Sequence, residues 1–152
     1  MSVFELETRR VSLPELKGCY YITALDRSGN ESEPSNIVCV DNCPNYELPN
    51  AFTPNGDNTN DTFQAYDNPF PRCPRFVEAV QISIYNRWGV EVFQYNSTSS
   101  VENDIYIHWD GTDKNGKELP AGTYFYSGNV AFDVLDESRR NQKLKGTIQL
   151  IR

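Results

Sequence analysis

Val80, Ile82 and Ile84 alternate with Gln81, Ser83 and Tyr85, a period of two that predicts a half-buried β-strand. The same rhythm recurs in short runs from Tyr46 onward, near 47–53, 61–66, 76–87, 90–95, 104–109, 122–134 and 143–151. Gly, Pro and Asn punctuate these runs and favour turns, because they accept or pre-set backbone angles that other residues avoid. No segment carries apolar residues at helical spacing over eleven positions. Seven short strands in about 105 residues predict an all-β fold, an immunoglobulin-like seven-stranded antiparallel β-sandwich.

A different pattern precedes it. CYYITALD (Cys19 to Asp26) and SNIVCV (Ser35 to Val40) are strand-like and flank a polar turn centred near Gly29. The string CYYITALDRSGNESEPSNIVCV resembles the last two strands of a fibronectin type III module. That resemblance implies a partial β-sandwich hairpin over residues 1–42, with the earlier strands of its module missing, and a separate domain over 43–152. An isolated pair of strands buries too little, so its apolar face would need cover.

Nine Tyr and eight Phe against one Met favour strands over helices. A net charge of −7 excludes nucleic acid as the main partner, since phosphate binding demands a surplus of Lys and Arg on one face. Arg139, Arg140, Lys143 and Lys145 form a local basic group, expected to be a solvated hairpin loop. No run of 18 apolar residues exists, so no direct membrane span is expected. Met1 is followed by SVFELETRR, with no apolar signal region, and the chain is therefore expected to be the C-terminal piece of a larger exported protein.

Four cysteines allow three pairings. In a hairpin centred near Gly29, Cys19 and Cys39 fall opposite one another, leaving Cys43 and Cys73 as the second pair. Closing a loop of about 20 residues contributes roughly 3 kcal/mol in the chain-entropy model. Two disulfides imply an oxidising, extracytoplasmic setting. Zinc is the rival, but after the CxxxC of Cys39 and Cys43 no second clustered pair follows and the only His is distant.

Three strings carry a further resemblance: LPNAFTPNGDNTNDTF (Leu48 to Phe63), IYNRWGVEVF (Ile84 to Phe93) and WDGTDKNGKELPAGTYFYSG (Trp109 to Gly128). Together they resemble the type B C-terminal sorting domain of the type IX secretion system of Bacteroidetes, also called the gliding-motility-associated C-terminal domain. The likeness runs from Cys43 to Arg152. The third string is also similar to the immunoglobulin-like domain of flagellar hook-cap proteins. The resemblance implies a non-enzymatic targeting module whose partners are the outer-membrane type IX translocon and a PorP/SprF-like outer-membrane protein. It implies export through the periplasm to the cell surface or medium, with no covalent chemistry by the domain.

Candidate sites follow from the same strings. In Asn55-Gly-Asp57-Asn-Thr59-Asn-Asp61, oxygen-bearing residues alternate as in the opening of a calcium loop, with Asn55, Asp57, Asn60 and Asp61 as candidate ligands. An EF-hand would have Gly where Asn60 stands and Glu where Tyr66 stands, and the family's usual second Gly is Asn58 here. A network of Asx-turns is the competing expectation. No cofactor is required; calcium is the one considered. In Asn86-Arg87-Trp88-Gly89, Trp88 is expected to cap the core, with Arg87 and Trp88 as a docking surface in the alternative. The last strand brings Lys145, Gly146, Thr147, Gln149, Ile151 and Arg152 as further partner-binding candidates, with an open terminal edge for β-augmentation. His108 has no activating nucleophile, and Asp110 and Asp113 fall in a turn, so no catalytic residues are expected. The alternative function is a calcium-dependent carbohydrate- or surface-binding sandwich of an adhesin.

Overall fold

The computed structural model describes residues 17–66, 74–99 and 104–152. They divide into two compact units between Asn42 and Cys43.

In the first unit, β1 (Gly18–Tyr20) pairs antiparallel with β2 (Val38–Val40), setting Cys19 opposite Cys39, and the two are joined as a disulfide. Asp26 shapes the connection: its Oδ1 accepts the amides of Ser28 and Asn30 at 2.8 and 2.9 Å. Ile22, Leu25, Ile37 and Val38 stay exposed, so this ribbon leaves apolar side chains in solvent. Cys43 is an exposed thiol, and Cys73 lies outside the described residues.

The second unit is built on one five-stranded sheet in the order β3-β7-β6-β4-β5. Its strands are β3 (Ala51–Phe52), β4 (Val77–Tyr85), β5 (Glu91–Asn96), β6 (Gly122–Phe132) and β7 (Asn141–Leu150). Neighbours run antiparallel except β3, which lies parallel to β7. The all-β class stands, and the details differ from a fully antiparallel seven-strand set. Segments 61–66 and 104–109 contribute one bridge, Phe63 to Trp109, rather than full strands. Amides in these segments find partners outside a ladder: Tyr66 N donates to Glu47 O and Tyr106 N to Asp104 Oδ1.

Period two decides which face is covered. Val80, Ile82 and Ile84 of β4, Val130 and Phe132 of β6, and Ile148 and Leu150 of β7 are buried. Clustered with them are Phe52 of β3 and, from the irregular segments that form the second layer, Tyr46, Phe63, Ile107 and Trp109. Trp109 is the hub: its ring centroid lies 5.2 Å from Phe52 and 5.4 Å from Tyr124, edge-on to the latter. Its indole N–H donates to Thr112 O at 2.8 Å, so no polar atom of the ring is stranded. Burial of each such side chain contributes about 1.5–3 kcal/mol, which lets a thin second layer hold the sheet. Buried Ser97 is satisfied in the same way, accepting from Val80 N at 2.9 Å.

Two sheet glycines are there for space. A Cβ on Gly128 would sit 2.2 Å from the Gln81 carbonyl oxygen, and one on Gly146 would sit 2.6 Å from the Tyr126 hydroxyl. Both positions allow the neighbouring strand or ring to approach the backbone closely.

Candidate functional site

The β4–β5 hairpin ends in a tip that its first residue builds. Asn86 Oδ1 accepts the amides of Trp88 and Val90, both at 3.0 Å, and Gly89 takes φ 77°, which suits a residue without Cβ. The backbone is thereby fixed while the side chains stay free. Trp88 is 72% exposed and Val90 58%, and the Arg87 guanidinium lies 4.2 Å from the indole centroid. Trp88 therefore does not cap the core: the turn swings it outward, and Trp109 fills the interior instead.

The loop from Thr53 to Thr62 closes on Asp61. Its Oδ1 accepts from Asn55 N at 3.0 Å and Gly56 N at 2.8 Å, and its Oδ2 from Asn58 N at 2.7 Å. Asp57 Oδ1 accepts from Thr59 N at 2.8 Å, and Asn55 Nδ2 donates to Asp57 Oδ2 at 2.9 Å. Asn60 contributes its backbone carbonyl, accepting from Thr53 N at 2.8 Å, and takes φ 55°. Backbone amides around Asp61 hold its carboxyl below the usual carboxylate range, the Gly56 amide foremost. Asn55, Asp57 and Asp61 are linked by these bonds, with the carboxylates facing N–H donors, while Asn60 bonds through its backbone to Thr53 instead. Among the described residues, no group of three or more His, Cys, Asp and Glu side chains is arranged to hold a metal ion.

The end of the chain is less open than its position suggests. Gln149 N donates to Asn50 O at 2.8 Å and Ile151 N to Phe52 O at 3.1 Å. Gln149 and Leu150 thus lie between β6 and β3, and the expected free edge at the terminus is already paired there. Lys145, Thr147 and Gln149 still present side chains to solvent, and Ile151 is half exposed. Gly146 lies under Tyr126. Arg152 reaches back to the 111–119 loop, donating to Leu119 O at 3.1 Å and Gly111 O at 3.3 Å and pairing with Glu118 at 3.4 Å. Gly111 has no room for a Cβ, which would lie 2.5 Å from Leu150 Cδ1. Sequence reasoning missed this clamp, because Arg152 lies 41 residues along the chain from Gly111 and no local pattern joins them.

His108 is exposed, with its ring nitrogens 3.0 Å from Asp104 Oδ2 and 3.1 Å from Gln64 Oε1. Asp110 and Asp113 serve as turn acceptors, the latter for Asn115 N and Lys117 N at 2.8 and 3.0 Å.

A family model described as the CHU_C type IX secretion signal domain matches residues 46–150. The chain belongs to this family. A search of curated proteins found no match. A type IX secretion signal domain is a sorting module rather than a catalytic one, and membership assigns the chain a secretion-targeting role. It implies an interaction with the secretion machinery and a destination at the cell surface or beyond. No helix among the described residues is long and apolar enough to cross a membrane. The matched range takes in every strand of the five-stranded sheet, so the signal domain includes both the rigid 86–90 tip and the 53–62 loop.

Proposed function

We propose that this signal domain is recognised as a folded unit by the outer-membrane type IX translocon, and that a PorP/SprF-like outer-membrane protein then holds the cargo at the surface. The Arg87–Trp88 tip is the main contact in this reading. The observation that carries it is the indole exposed on a turn whose backbone is already locked by Asn86. Amphipathic Trp and Arg on a rigid support bind with little ordering cost. The solvent-facing side chains of Lys145, Thr147, Gln149 and Ile151 form the second contact, while Gly146 and Arg152 act inside the domain. No part of the reading involves covalent chemistry.

In the same reading the Asn55–Asp61 loop is held by its own carboxylate and has no need of calcium. Calorimetry with calcium decides this: saturable heat at millimolar ion, with a higher melting temperature, would favour the cation. Residues 17–42 represent the end of a fibronectin type III-like sandwich.

The test is a fusion of the whole chain to a periplasmic reporter in a host with a type IX system. The wild-type fusion should reach the surface. The R87A/W88A variant should accumulate in the periplasm with an unchanged melting temperature, because substitutions at so exposed a site shift stability by no more than about 0.5 kcal/mol. Export of the double variant at the wild-type level would remove the tip from the docking role, and retention of the wild-type fusion inside the cell would remove the reading itself.

A further inference from the structure

On the face opposite the core, uncovered among the described residues, the five-stranded sheet carries a groove of about 760 Å³. Its floor is polar in a particular way. Gln81, Gln94 and Asn129 bring amides, each with both a donor and an acceptor, and Ser83 and Ser127 add hydroxyls. The ladder register lines up Gln81, Asn129 and Lys143 in one row across β4, β6 and β7, and Gln94, Ser83, Ser127 and Lys145 in the next, across β5, β4, β6 and β7. One row further along the same face, Tyr85 stands directly opposite Phe125, whose ring is 44% exposed.

Charge on this face has one sign to spare. Lys143 and Lys145 are exposed, two residues apart on β7, and no ion pair among the described residues involves either. Glu91 is set on this face opposite Tyr85, and Lys114 neutralises it at 2.7 Å. A net positive groove on a chain of net charge −7 is a local arrangement, not a by-product of composition.

We propose that this groove binds an acidic polysaccharide, a polyuronate-like chain. Its carboxylates meet Lys143 and Lys145, its hydroxyls exchange hydrogen bonds with the amides of Gln81, Gln94 and Asn129, and one sugar ring stacks on Phe125 beside Tyr85. Sugar hydroxyls both donate and accept, and amides are the side chains that answer both needs at once. Charge-assisted bonds to the carboxylates supply the selection against neutral glycans. The groove adjoins the 86–90 tip at Tyr85 and shares Lys145 with the second docking contact, but it takes nothing from Arg87 or Trp88, so W88A separates glycan binding from docking through the tip.

The experiment uses the full chain with polygalacturonate, dextran and polyglutamate as probes, in affinity electrophoresis followed by calorimetry. Polygalacturonate should retard the chain, and dextran and polyglutamate should not. The K143Q/K145Q and F125A variants should each weaken polygalacturonate binding about tenfold or more at unchanged melting temperature, while W88A binds as wild type. Absence of retardation by polygalacturonate overturns the proposal. Equal retardation by polyglutamate reduces it to bare charge, and equal retardation by dextran removes the lysines' role; either result overturns it too. Undiminished binding by both groove variants would place the glycan elsewhere and is equally fatal.

Discussion

Replacing Gly128 by Ala sets two physical effects against each other. In a strand interior Ala is favoured over Gly by about 0.5–1 kcal/mol, because it has less chain entropy to lose. At this position the new Cβ would lie 2.2 Å from the carbonyl oxygen of Gln81, and 2.8 and 2.9 Å from Cγ1 and Cα of Ile82. An ordinary carbon–oxygen contact is about 3.3 Å, so β4 and β6 must separate by roughly 1 Å at the centre of the sheet. Overpacking of this kind costs about 1–3 kcal/mol, and a net loss near 2 kcal/mol is expected. Urea unfolding followed by Trp109 fluorescence in a W88F background should show the midpoint falling by about 1 M at unchanged slope. Adding Ile82→Ala relieves the Cγ1 contact but leaves the carbonyl in place, and should not restore stability. Gly146→Ala differs because it meets the Tyr126 ring, a side chain, so a double-mutant cycle with Tyr126→Ala should reveal coupling of about 1 kcal/mol. A Gly128→Ala protein as stable as wild type, or more stable, would refute the packing argument.

Three further outcomes are expected. Trp109→Phe removes the indole N–H that donates to Thr112 O and leaves a void among Phe52, Phe93 and Tyr124, costing about 2 kcal/mol by chemical denaturation. Asp61 and Asp113 have folded-state acidities strengthened by backbone amides, so their contribution is present above the usual carboxylate pKa and is lost as pH falls through the lower folded value. Melting temperature should therefore drop as pH falls below about 4, the ordinary Asp range, and Asp61→Asn should lower it at neutral pH while flattening that acid limb. Reducing Cys19–Cys39 reopens a loop with a sequence separation of 20, a loss of about 3 kcal/mol that should appear as faster amide exchange at Val38–Val40.

Much of the architecture was legible in short-range pattern. Alternation at Val80–Tyr85 named both the strand and its buried side, since successive residues on a strand point to opposite faces. The turn near Gly29 placed Cys19 across from Cys39, because hairpin register follows from the position of the turn. Asn, Asp and Gly spacing identified the 53–62 loop, and the motif strings led to the family. Pattern could not say which segments would cover the sheet, because pairing and packing depend on residues far apart in the chain. Tertiary structure alone turned Trp88 outward, although it sits beside a strand and a glycine. It reduced 61–66 and 104–109 to a single bridge and placed β3 along the last residues of β7. It also gathered amides from β4, β5 and β6 with lysines from β7 on one face. Each of these outcomes is a competition among distant surfaces for the same apolar area, and local alternation states only that such area exists.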